Sequence, residues 1–131
     1  MLSYSYTILY VESVEQTITF YEKAFGFIKK FMTPEGDYGE LLSGDTTIAF
    51  ASLELGESNL KNGFIPSHRN NKPFGIELTF VSSDIKADFN KAIQEGAIVI
   101  EDLTVKPWGQ TVGYIKDING FLIEICTPIS N

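Results

Sequence analysis

The 131-residue chain, 44% hydrophobic and 21% charged, has the balance of one compact globular domain and not of a disordered segment. No apolar run approaches the length of a bilayer span, and the opening MLSYSYTILYVESVEQ lacks the basic flank and small-residue cleavage site of a signal peptide. A formal net charge of −7 with scattered Lys and Arg argues against nucleic acid and eases a neutral or cationic small ligand, while the single cysteine, Cys126, precludes an internal disulfide and suits a reducing cytoplasm.

In chain order, SYTILYV (5–11) alternates and is rich in Tyr and Ile, which predicts a strand. Ser13 opens an S-x-x-Q capping box with Gln16, and Val14, Ile18, Tyr21 and Phe25 follow at helical spacing until Gly26 supplies the stop. Phe27–Met32, Tyr38–Leu42 and Thr46–Ser52 read as three strands, with Gly36-Asp37 and Gly44-Asp45 in the turns. The segment from about 56 to 73 is polar and rich in Gly, Asn and Pro, and reads as a linker or surface loop. The pattern then begins again. Gly75–Val81 reads as a strand, and Asp84 as the cap of a helix with the stripe Ile85, Phe89, Ala92 and Ile93, stopped by Gly96. Strands follow at Ala97–Glu101, Gln110–Lys116 and Phe121–Thr127, with Asp117-Ile118-Asn119-Gly120 as the last turn.

Val11 and Val81 lie 70 positions apart, as do Gly26 and Gly96; an extra residue at Ser82-Ser83 is compensated by one fewer inside the second helix. Two βαβββ units at a fixed offset signal an internal duplication. The expectation is a single α+β domain over 1–131 with two tandem modules, about 1–55 and about 74–131. Helices would lie on the outer face, and the modules would pack side by side into a curved mixed sheet with a concave cleft.

The segments V-x-S-V-E-x-x-I-x-F-Y-E-K-A-F-G-F (11–27), GDTTIAF (44–50) and KPWGQTVGYIKDINGFLIEICTP (106–128) resemble the vicinal oxygen chelate, or glyoxalase / bleomycin-resistance / dioxygenase, superfamily. The resemblance runs over nearly the whole chain. It implies a shared fold but no single activity, since this fold hosts isomerases, dioxygenases, thiol transferases and metal-free binding proteins. Metal-dependent members place four cleft-facing donors, usually His, Glu or Gln, early and late in each module. The resemblance puts the early positions on Tyr6 and Ile76 and the late ones on Ala49 and Glu124. Only Glu124 is a competent ligand, so the expectation is a site with no metal and no other cofactor. A shift of one residue would bring in Glu77 for Ile76, against the stripe of Ile76, Leu78 and Phe80. The only histidine, His68, falls in the expected linker.

Glu124 is the one catalytic candidate, as a cleft carboxylate poised for acid/base work or for pairing with a cationic ligand; alternatively it is a relic bonded to Tyr6 or another hydroxyl. Trp108 and Gln110, in the loop before a strand, wall a pocket by this resemblance, or anchor the module rim. Tyr4, Tyr6 and Tyr10 alternate on one strand, and Tyr38 and Tyr114 are candidates to join them in an aromatic pocket or at a subunit interface. Cys126 shares the face of Glu124 and reads as a small buried hydrophobe.

The resulting expectation is a cytoplasmic, homodimeric, metal-free protein whose leading reading is small-molecule binding, with the question of catalysis left open toward a glyoxalase-like lyase or dioxygenase. It would enclose an amphipathic or cationic ligand through Tyr6, Ala49, Ile76, Trp108, Gln110, Tyr114 and Glu124, as drug-sequestering bleomycin-resistance proteins do in antibiotic resistance. Neither nucleic acid nor membrane is an expected partner. The alternative is a metal-dependent glyoxalase-like lyase or isomerase, or a dioxygenase, holding Zn, Ni, Mn or Fe through Glu77 or Glu40 or across a dimer. A third option is a metal-independent enzyme using Glu124 or Tyr6 in proton transfer.

Overall fold

The computed structural model describes residues 1–129 and divides the chain into two compact units, Met1–Pro66 and the part from Ser67 onward. The first unit runs β1 (Thr7–Val11), α1 (Val14–Phe25), β2 (Ile28–Met32), β3 (Tyr38–Ser43), β4 (Thr46–Ser52) and α2 (Leu53–Asn59). The second runs β5 (Glu77–Val81), α3 (Ile85–Gln94), β6 (Ile98–Val105), β7 (Thr111–Lys116) and β8 (Leu122–Cys126). The sheets have the orders β1-β4-β3-β2 and β5-β8-β7-β6, each with one parallel pair and two antiparallel pairs. The architecture is therefore α+β, with two tandem βαβββ modules. Among the described residues no helix is long and apolar enough to cross a membrane.

Helix α1 forms as its sequence dictates. The Ser13 hydroxyl accepts from the Gln16 amide at 3.1 Å, and Gly26 closes the helix at φ 73° with its amide donating to Glu22. Its buried stripe packs onto β4, where the Tyr21 and Phe50 rings lie 5.0 Å apart. Helix α3 starts differently from expectation. Asp84 makes no side-chain cap; instead the Ser82 hydroxyl accepts from the Asp84 amide at 3.0 Å and donates to the Asp88 carboxylate at 2.5 Å. Each helix approaches its sheet over a glycine. A Cβ on Gly39 would fall 2.5 Å from Ile18, and one on Gly113 would fall 2.5 Å from Phe89.

The expected linker begins inside a short helix, and from Leu60 to Ile76 it has neither helix nor strand. Ser52 caps α2 by accepting from the Leu55 amide at 3.1 Å, and Gly56 lets that helix close on Tyr10 and Phe64. The Phe64 ring stacks 4.9 Å from Tyr10, so the stretch up to Pro66 packs onto module one. Beyond Ser67, the carbonyls of Arg69 and Asn71 receive the Lys116 ammonium at 2.6 and 3.0 Å. That stretch belongs to module two. β6 also extends to Val105, past the expected end at Glu101, through two register shifts against β7.

The ladders correct the repeat offset. Gly39 lies opposite Phe50 and Gly113 opposite Ile125, which matches β3–β4 to β7–β8. Ala49 then corresponds to Glu124, and their parallel partners Ile8 and Thr79 correspond in turn. The first strands are thus 71 positions apart, not 70, and the N-cap residues Ser13 and Asp84 keep that spacing. The extra residue lies ahead of β5, not between β5 and α3.

Candidate functional site

Residues paired across a ladder point to the same side of a sheet. In module one the helix side carries Leu9, Leu41, Ile48 and Phe50, all buried. The opposite, helix-free side carries Ile8, Tyr10, Ala49 and Ala51 beside Tyr38 and Glu40. There the Tyr38 hydroxyl donates to Glu40 Oε2 at 2.5 Å, and Lys30 Nζ stands 3.4 Å from Oε1. Burial first, then hydrogen bonds to Glu40 and Tyr6, push the Tyr38 phenol far above the ordinary tyrosine range. Tyr6, just ahead of β1, therefore joins this cluster. Tyr4 is exposed and bonds to Thr7 instead, and Tyr10 is occupied by Phe64.

In module two the helix side carries Gly113, Ile115, Ile123 and Ile125, and the helix-free side carries Glu77, Thr79, Tyr114, Glu124 and Cys126. Tyr114 and Glu124 are direct cross-strand partners, and the phenol donates to Glu124 Oε1 at 3.0 Å. Thr79 donates to Glu77 Oε2 at 2.8 Å. The bond to Glu124, then burial, then the charges of Glu124 and Glu77 raise the Tyr114 pKa. Burial, followed by the Glu124 hydrogen bond and the same two charges, raises that of the Cys126 thiol. Cys126 is thus the buried, unactivated thiol that its position suggested.

Two expected site residues change place. Ile76 lies before β5, 71% exposed, and by alternation it belongs to the side of Leu78 and Phe80; Glu77 is the residue that shares the face of Glu124. Ala49 has no accessible surface, because Ile8 and Glu40 flank it directly on the two neighbouring strands. It contributes space, not a contact. Glu124 takes Tyr114, not Tyr6, as its hydroxyl partner.

The turn before β7 holds Trp108 and Gln110 together. The indole N–H donates to Gln110 Oε1 at 2.8 Å, and the Gln110 amide donates to the Thr127 carbonyl at 2.8 Å. Trp108 remains 65% exposed, so its ring is oriented yet uncovered. A separate cavity of about 470 Å³ opens among Glu12, Glu35, Asp37, Ser52, Glu54 and Glu57, and it contains none of these site residues.

At the positions that the resemblance implies, module one offers Tyr6 and Ala49, and with the offset of 71 module two offers Glu77 and Glu124. Module two supplies two carboxylates and module one a single phenol beside an alanine with no donor atom, so neither module by itself reaches the three protein ligands that a catalytic divalent ion ordinarily takes. Among the described residues no group of three or more His, Cys, Asp or Glu side chains is placed to hold a metal ion. Neither module by itself fits the metal of the metal-dependent members.

A family model for the glyoxalase-like domain matches residues 4–130. A glyoxalase-related enzyme from Fulvimarina pelagi superposes with a TM-score of 0.81 at 15% identity, over 98% of this chain and 89% of that one. A glyoxalase/bleomycin resistance protein/dioxygenase family enzyme from Burkholderia phytofirmans gives 0.75 at 20% identity, over 94% and 96% of the two chains. A glyoxalase/bleomycin resistance protein/dioxygenase from Nocardioides gives 0.70 at 13% identity, over 100% and 86%. At these identities the likeness carries the fold. No curated protein sequence matches significantly.

Proposed function

The chain belongs to the glyoxalase-like domain family, within the vicinal oxygen chelate superfamily, and from that premise we propose that it binds a small amphipathic or cationic molecule without a resident metal. The observation that carries this reading is the helix-free face of module two, where Tyr114 orients Glu124 and Glu77 stands on the same side. Two carboxylates on a partly buried sheet face attract a cationic group, and the phenol holds the Glu124 carboxylate in one orientation toward it. Trp108, oriented by Gln110, supplies a flat surface for an aromatic ligand body. On this reading Glu124 binds and does not transfer protons. A drug-sequestering role, a homodimer and a cytoplasmic location complete the proposal.

Screening thermal stability against organic cations and antibiotics tests it, since a ligand of the folded state raises the melting temperature. A cationic compound is expected to stabilise the native protein and to lose that effect in Glu124→Gln. A panel without any stabilising cation, or stabilisation indifferent to Glu124→Gln, contradicts the reading.

One observation favours a second reading, a metal-dependent lyase, isomerase or dioxygenase: Glu77 adds a second carboxylate where the sequence offered one. Turnover requiring added Zn, Ni, Mn or Fe, and abolished in both Glu77→Gln and Glu124→Gln, would establish it.

A further inference from the structure

We propose that the helix-free face of module one holds a cation-recognising site of its own, anchored by Glu40 and suited to an aromatic organic ammonium, with Lys30 occupying the place of the ligand's charge. The proposal rests on the binding reading above and extends it to residues outside that reading. Glu40 occupies in module one the ladder position that Tyr114 occupies in module two, directly opposite Ala49 as Tyr114 is opposite Glu124. In module one the carboxylate stands on the same strand as its phenol, Tyr38, and faces the small Ala49 across the ladder.

A carboxylate in a sheet face loses hydration and needs partners. The Glu40 side chain is 10% exposed, and its close partner is the neutral Tyr38 phenol at 2.5 Å. Its charged partner is looser. Lys30 is 49% exposed and 3.4 Å away, well beyond the roughly 2.7–2.9 Å of a strong charge-assisted bond. Lys30 lies at the register shift between Lys29 and Phe31, the kind of irregularity that re-aims a side chain. A tethered, half-solvated ammonium therefore marks where a cation sits. Around it Phe31 is the cross-strand partner of Glu40, with its ring 5.8 Å from Tyr38, and both Tyr6 and Ile8 are partly exposed. Aromatic faces beside a buried carboxylate are the chemistry that recognises an organic ammonium.

Isothermal titration of the full chain with 2-phenylethylammonium, and with 2-phenylethanol as its uncharged counterpart, tests the assignment. Lys30→Met vacates the position and is expected to tighten the ammonium about ten-fold, a change of about 1.4 kcal/mol, while leaving the alcohol unchanged. Glu40→Gln keeps an acceptor for Tyr38 and is expected to abolish that gain when combined with Lys30→Met. Lys30→Met that binds the ammonium no tighter than the native protein, or not at all, overturns the proposal, and this half-exposed position decides the matter even if Glu40→Gln fails to fold. Ammonium binding lost in Glu124→Gln but indifferent to Lys30→Met and Glu40→Gln also overturns it, while leaving the module-two reading intact.

Discussion

Helix α1 buries six of its twelve residues against its sheet, whereas α3 buries two of its ten. Module one fills the gap between helix and sheet with rings: Phe20, Tyr21, Phe25, Phe27 and Phe50 form a chain of contacts with centroids 5.0–6.4 Å apart. Module two relies on Phe89 over Gly113 and on Ala92, and Ile93 at the helix end is left 36% exposed. The same contrast runs through the helix-free faces. Module one neutralises its carboxylate internally, with Tyr38 and Lys30 on Glu40, while Glu77 and Glu124 of module two are met by neutral groups, the Thr79 and Tyr114 hydroxyls and the Cys126 thiol. A duplicated backbone plan thus tolerates different cores and divides its surface chemistry unequally.

The largest expected effect separates the two helices. Tyr21→Ala should destabilise by about 3–5 kcal/mol, because the ring is fully buried in the aromatic chain. Ile93→Ala should stay within about 0.5 kcal/mol, as partly exposed positions do. Urea denaturation of both variants checks this, and equal losses would erase the contrast between the cores.

The glycines under the helices should instead make the modules behave alike. Gly39→Ala and Gly113→Ala each force a methyl to within 2.5 Å of a helix side chain, which overpacking data place at about 1–3 kcal/mol. A tolerated substitution in one module alone would show that its helix is free to back away.

A smaller effect isolates the module-two pair. Glu124→Gln should lower the Tyr114 titration midpoint toward the ordinary value near 10, followed by phenolate absorbance. The sign for stability follows from the raised folded pKa. The pair contributes fully below the ordinary tyrosine range, and its contribution is lost as pH rises through the folded value. The alkaline fall in melting temperature should therefore be shallower in Glu124→Gln, and an unchanged Tyr114 midpoint would disprove the coupling.

Local signals carried much of this fold. The capping serine, the helical stripe and Gly26 delimit α1 within the sequence itself, and most strands announce themselves by alternation or by a Gly-Asp or Asn-Gly turn. Helix α2 was illegible because it has only seven residues and depends on Ser52 and on packing against Tyr10 and Phe64. The site was legible in type more than in address. Glu124, Tyr114, Trp108 and Gln110 stand out in the sequence, and two pairings among them are visible only in three dimensions. Glu77 was displaced by Ile76 because one extra residue ahead of a five-residue strand leaves every motif spacing nearly intact while inverting the strand's faces. The half-buried side of Leu78 and Phe80, opposite the exposed Glu77 and Thr79, was the signal that could have placed it. Glu40 and Tyr38 alternate on β3, so their shared face was readable, but their value depends on Ala49 across the ladder.

The most direct test of the central claim, that this chain keeps the superfamily's site as a binding surface without its metal, is metal stoichiometry. The purified chain, incubated with Zn, Ni, Mn and Fe and then dialysed, should retain well below one ion per chain by mass spectrometry, equally in native protein, Glu77→Gln and Glu124→Gln. One tightly held ion per chain, lost in both variants, would contradict the account and restore metal chemistry to the site.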